Sequence, residues 1–182
     1  MNSTDTQNDS SKAFSERIFL IGFMGSGKSH WGKIWATRRQ YNFLDLDDVL
    51  EQEEQSSVID IFEKKGEDYF RQKEAIMLRT LHGRTNMIVA CGGGTACFFD
   101  NVSWMKNAGT VVFLEAPPAT ILKNILTQEA KRPLVKNLNE AELLFFVEQK
   151  LKDRSEFYTQ AHHTWQVEEL TDASIDTLIP NK

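Results

Sequence analysis

Apolar residues fall along this chain in two alternating registers: short continuous runs, and longer stretches in which they recur every three or four positions. Ile18-Phe19-Leu20-Ile21, Met87-Ile88-Val89-Ala90-Cys91 and Thr110-Val111-Val112-Phe113-Leu114-Glu115 have the length of strands buried on both faces of a parallel sheet. Tyr41–Asp48 reads as a shorter strand with acidic residues at its carboxyl end, and Thr164–Val167 as a fifth. Helical spacing recurs in Trp31, Ile34 and Trp35, and in Val58, Ile61 and Phe62, where it is halted at Lys64-Lys65-Gly66. It returns in Phe70, Met77, Leu78 and Leu81, in Leu143, Leu144, Val147 and Leu151, and in Ile175, Leu178 and Ile179 on a closing helix. Pro117-Pro118 opens one helix, and Asn139 with Glu142 three residues on has the form of a capping box. Strands alternating with helices predict an α/β architecture, a five-stranded parallel sheet covered on both faces and joined by right-handed crossovers.

Residues 1–16 break this pattern: they are polar, without periodicity, and read as a disordered tail ahead of a single domain at 17–182. No apolar run approaches the ~18 residues of a membrane span, and the amino-terminal residues lack the apolar stretch of a secretory leader. A net charge of -5 argues against a general nucleic-acid surface. Cys91 and Cys97 sit neither in a CxxC pair nor at metal-ligand spacing from a histidine, as expected of reduced thiols in a cytoplasmic protein.

The chemistry concentrates where the runs end. After the first strand, Gly22-Phe23-Met24-Gly25-Ser26-Gly27-Lys28-Ser29 has the spacing of a phosphate-binding loop, and the helix that follows supplies the context such a loop needs. Backbone N–H groups and a helix N-terminus cradle phosphate, Lys28 adds a point charge, and Ser29 offers a hydroxyl to Mg²⁺. In an extended chain Asp45 and Asp47 share one face, with Asp48 capping the next helix. The Met87–Cys91 strand ends in Gly92-Gly93-Gly94 where many such proteins carry a metal-side acid, so Asp45 becomes the candidate for that task. The glycines read either as a flexible turn or as bare N–H donors to an anion. Arg71 and Glu74 read as a structural ion pair or as part of a site; Arg154, prolonging an apolar stripe, as a snorkelling side chain or a ligand. Lys131-Arg132-Pro133-Leu134 falls in a polar connection expected to be a mobile loop. Asp47 as an acceptor of hydroxyl protons, Arg71 and Arg154 as carboxylate forks, and the glycine turn together suit a small polyhydroxylated acid.

GFMGSGKS, Asp45-Leu46-Asp47, Phe70-Arg71 with Glu74, Gly92–Gly94, Arg132-Pro133-Leu134 and RSEFY from Arg154 resemble the motifs of the shikimate kinase family, in that family's order, across Ile18 to about Val167. The resemblance implies a three-layer P-loop NTPase fold, with a helical substrate-binding insertion at about 47–75 and a mobile lid at about 124–139. It implies transfer of the ATP γ-phosphate to the 3-hydroxyl of shikimate by a monomer, with small-molecule substrates; composition and cysteine usage add the expectation of a cytoplasmic protein with neither nucleic acid nor membrane as partner. Carried across, it makes Gly25, Ser26, Gly27, Lys28, Ser29, His30 and Arg132 the nucleotide contacts, and Ser29 and Asp45 the Mg²⁺ site. Asp47, Arg71, Gly92, Gly93, Gly94 and Arg154 would hold shikimate, with Glu74 orienting Arg71; Lys28, Asp47 and Arg132 would be catalytic. The chain departs from the pattern at His30, where the family commonly has threonine, and at Ala119–Lys131, which contains no arginine to lie on the adenine. Another small-metabolite kinase, such as a gluconate kinase, and a non-catalytic nucleotide-binding domain are the alternatives. Deleting Met1–Ser15 is expected to leave turnover unchanged, as a steady-state assay of the truncated chain would measure.

Overall fold

The computed structural model describes residues 17–127 and 138–179; the tail and the Lys131–Leu134 motif lie outside them. Five strands, β1 (Arg17–Ile21), β2 (Asn42–Asp45), β3 (Met87–Ala90), β4 (Thr110–Glu115) and β5 (His163–Gln166), form one parallel sheet in the order β2-β3-β1-β4-β5. Alternation along β1 divides the core between its two faces. Phe19 and Ile21 join Val89, Val111 and Phe113 against helices α3 (Val58–Thr80), α4 (Asn101–Ala108) and α6 (Glu140–Tyr158). Ile18 and Leu20 join Ile88, Val112 and Leu114 against α1 (Lys28–Arg39), whose Trp35 is wholly buried. On that side Trp31 stacks on Trp35 at 5.5 Å, and Trp35 meets Trp165 edge-on at 5.2 Å. A third cluster unites Phe23 with α5 (Pro118–Leu126) and α6. Among the described residues no helix is long and apolar enough to cross a membrane.

The strand order puts β1 at the centre, with β3 on one side and β4 on the other. The chain therefore reverses its direction of winding at β1, and ligands of open α/β sheets bind at the carboxyl ends of the strands beside such a reversal. The loop after β1 and the turn after β3 meet there.

The structure departs from the expected pattern in five places. Strand β2 ends at Asp45 and helix α2 (Leu46–Glu54) begins at once, so Asp47 lies in the first turn of a helix and does not share a strand face with Asp45. The N-cap is Asp45, whose carboxylate accepts the Asp47 N–H at 3.2 Å, and not Asp48. The expected closing helix is a short 3₁₀ turn, Ser174–Thr177, with Ile175 buried against α1's side of the sheet. Helix α4, which the pattern did not predict, supplies the crossover from β3 to β4 that two parallel strands in one sheet require. At Gly66, where a stop was expected, the backbone takes φ 82, ψ 167 and two helical arms meet in a kink.

The capping box is present: Asn139 Oδ1 accepts the Glu142 N–H at 3.0 Å, and Glu142 Oε2 accepts the Asn139 N–H at 2.8 Å. Asn139→Ala is expected to cost ~1 kcal/mol, lowering the melting temperature by about 2–4 °C in a calorimetric scan.

Candidate functional site

The loop between β1 and α1, the β2–α2 junction, helix α3, the turn after β3, and helices α5 and α6 line one cleft of about 1210 Å³. In the loop, Lys28 is buried and its ammonium donates to the carbonyls of Gly22 (2.9 Å) and Phe23 (2.8 Å), which curls the chain around the lysine. Asn124 of α5 braces the same loop from outside, Nδ2 donating to the Gly25 carbonyl at 2.8 Å. The Ser26 hydroxyl is buried without a hydrogen-bond partner among the described residues, which an arriving phosphate oxygen would supply. Ser29, opening α1, donates to Asp45 Oδ2 at 2.5 Å across the cleft's edge. A hydroxyl and a carboxylate held together beside a phosphate cradle are the hard oxygen donors that suit Mg²⁺. His30 is exposed on the rim, edge-on to Trp31 at 5.2 Å.

The other half of the cleft is built around a buried ion pair. Glu74 has no exposure to solvent; its Oε2 accepts Arg71 Nη1 at 2.9 Å and its Oε1 accepts the Thr95 hydroxyl. Arg71 is held further by Glu67, at 3.2 Å, and by the rings of Phe70 (5.1 Å) and Phe98 (4.8 Å). A Cβ at Gly94 would stand 2.5 Å from Arg71 Nη2, and one at Gly92 would stand 2.6 Å from Glu74 Oε1 and 2.8 Å from Asp47 Oδ1. The turn is glycine because these side chains occupy the space. Gly93 contributes its carbonyl, which accepts Arg154 Nη1 at 3.1 Å.

Asp47 stands between the halves. Removal from water, and then repulsion by Glu74 and Asp45, push its pKa up to about 7, against the weaker opposing pull of Lys28 and Arg71. A carboxylate so placed takes up a proton near neutral pH, as an acceptor for a substrate hydroxyl must.

Residues 24–180 match the family model for shikimate kinase. The chain is 40% identical over 167 residues to the shikimate kinase of Phocaeicola vulgatus, covering 89% of this chain and 95% of that protein. The chain belongs to the shikimate kinase family. Its similarity to the Bacteroides thetaiotaomicron shikimate kinase is 36% identity over 156 residues, 86% of this chain and 89% of that one. In three dimensions it matches the crystal structure of a B. thetaiotaomicron shikimate kinase with a TM-score of 0.86 at 32% identity, covering 91% and 98% of the two chains. It matches the Acinetobacter baumannii shikimate kinase in complex with shikimate with a TM-score of 0.79 at 32% identity, covering 92% and 93%.

In this member of the shikimate kinase family, Gly25 to His30, Asp45, Asp47, Arg71, Gly92 to Gly94 and Arg154 all line the one cleft; Arg132 lies outside the described residues. Arg71–Glu74 is at once the structural pair and part of the cleft, and Arg154 turns inward to Gly93. Sequence reasoning gave no role to Thr95, Asn124 or Tyr158, the last of them within the RSEFY motif. Thr95 directly follows the three glycines, and Tyr158 lies one helical turn beyond Arg154, so both had a positional signal. Asn124 had none.

Because the folded state holds the Asp47 proton to about pH 7 while an unfolded chain releases it near ~3.9, the unfolded chain binds fewer protons between these values. Asp47 therefore removes stability as pH rises through that window. Asp47→Asn is expected to melt higher relative to the parent at pH 8 than at pH 5, read by thermal scans at both; an equal difference at the two values would contradict the assigned environment.

Proposed function

We propose that this chain transfers the γ-phosphate of ATP to the 3-hydroxyl of shikimate, giving shikimate 3-phosphate and ADP in the synthesis of chorismate and the aromatic amino acids. The observation that carries the reading is the convergence of Asp47, Arg71, Gly93 and Arg154 on the cleft that also holds the phosphate loop. The kinship with a protein crystallised with shikimate supports the same acceptor.

In this reading Gly25, Ser26, Gly27, Lys28 and Ser29 cradle the β- and γ-phosphates, with His30 at the rim. Ser29 and Asp45 would hold Mg²⁺, which when bound would offset charge on the phosphates. Arg71 and Arg154 bind the shikimate carboxylate, and the backbone from Gly92 to Gly94 closes the pocket beneath it. Arg71 is aimed by Glu74 and clasped by aromatic rings, so little ordering is left for binding to impose. Asp47 orients the attacking hydroxyl and accepts its proton, the direction its raised pKa favours. Phosphoryl transfer depends on alignment and on stabilising charge spread over the moving group, the task of Lys28 and of Arg132 from the lid. The helical stretch at about 47–75 is then the substrate-binding insertion. The reading invokes no group from a second copy of the chain, in keeping with a monomer.

A coupled assay with ATP, magnesium and a panel of polyol acids is expected to give ADP with shikimate and not with gluconate; turnover of gluconate alone would reverse the assignment, and turnover of neither would leave a nucleotide-binding domain. Lys28→Ala is expected to abolish turnover. Arg154→Ala is expected to raise the KM for shikimate by about 30-fold or more with a much smaller change for ATP, the scale of losing ~2 kcal/mol or more from a charged hydrogen bond.

A further inference from the structure

The last turn of α6 carries a buried polar group that the reaction above does not use. Tyr158 is 1% exposed, its ring stacked on Phe113 with centroids 5.0 Å apart. Its hydroxyl reaches past that ring to donate to the Gly93 carbonyl at 2.5 Å. The same oxygen accepts Arg154 Nη1 at 3.1 Å, so one carbonyl receives two donors from successive turns of one helix. On its other side Gly93 abuts the phosphate loop: a Cβ there would come within 3.1 Å of the Met24 nitrogen. Arg154 in turn stands over the Phe23 ring at 5.3 Å, and the Phe23 carbonyl accepts Lys28 at 2.8 Å.

We propose that Tyr158 is a positioning residue of this kinase, its hydroxyl fixing the Gly93 carbonyl and through it the spacing between Arg154 and the phosphate loop. The inference rests on the function proposed above. The ring alone fills the core against Phe113; the hydroxyl adds a group that is costly to bury, offset by its bond to the Gly93 carbonyl and by Arg154 beside it. Burial raises the phenol pKa to about 12, so the group stays a donor throughout the neutral range. Without it the Gly93 carbonyl has one anchor in place of two, and the arginine that grips the acceptor can drift from the line to the transferring phosphate. Alignment is what this class of reaction depends on most.

The test compares Tyr158→Phe, which keeps the ring, with Phe113→Leu, which disturbs the stacking and leaves the hydroxyl. In Tyr158→Phe, kcat/KM for shikimate is expected to fall about tenfold, equivalent to ~1.4 kcal/mol, while the ATP Kd from calorimetry stays within twofold of the parent. Phe113→Leu is expected to lower the melting temperature at least as far, yet to keep kcat/KM per folded molecule within twofold. Combining Tyr158→Phe with Arg154→Lys should lose less than the product of the two single effects, since both act through one oxygen. Unchanged kcat/KM in Tyr158→Phe, or a fall matched by Phe113→Leu, overturns the proposal. If the parent phosphorylates shikimate and Tyr158→Phe is indifferent, only this inference fails; a parent that does not phosphorylate shikimate overturns the functional reading and the inference together.

Discussion

A carboxylate shut off from water must be neutralised and hydrogen-bonded where it stands, and Glu74 is such a group. Its two oxygens are taken by Arg71 and by Thr95, one from its own helix and one from the turn after β3. That pairing is possible only because Gly92 and Gly94 carry no side chains: a methyl at either would overlap the charged groups. The helix that brings Arg71 and the strand that brings the glycines are thereby locked at one separation. Arg71, flanked by aromatic rings, is committed to a single direction before any ligand arrives.

The same crowding divides the cleft electrostatically. At the loop end the positive groups are Lys28 and the first turn of α1, faced by the Ser29–Asp45 pair. At the far end Arg71 and Arg154 offer positive charge to an anion. Asp47, near the four charged groups Glu74, Asp45, Lys28 and Arg71 and withdrawn from water, is the one carboxylate among the described residues whose proton is raised into the neutral range. Two regions attractive to anions, separated by a carboxylate of raised pKa, suit a pocket shared by a phosphate donor and an acidic, hydroxylated acceptor.

The sheet was legible because its strands are buried on both faces and so read as unbroken apolar runs, and because Gly-Lys-Ser after the first of them admits few contexts. The β2–α2 junction was misread: Asp-Leu-Asp alternates as a strand does, whereas the Asp45 carboxylate caps a helix that starts one residue later. Helix α4 went unseen because its buried face is only Asn101, Val102 and Met105, too short for a period to emerge. The closing segment carried helical spacing, yet it is held as a 3₁₀ turn by Asp176 bonding Arg38 and Arg39 and by Trp35 donating to the Thr171 carbonyl, contacts more than a hundred residues apart in the chain. Of the site, the residues with a motif around them were found. Those whose role comes from a tertiary contact, Asn124 bracing Gly25 above all, leave no mark in the linear order.

The tryptophan column has a consequence for how this enzyme can be observed. Trp31 lines the cleft, with its indole Cδ1 beside Gly27, and is stacked on Trp35, while Trp104 lies across the sheet against Phe19. An intrinsic fluorophore therefore borders the glycine-rich loop, stacked on an indole sealed in the interior. A ligand seated on that loop would change the surroundings of the outer indole, which makes it a built-in optical gauge of occupancy that needs no attached dye.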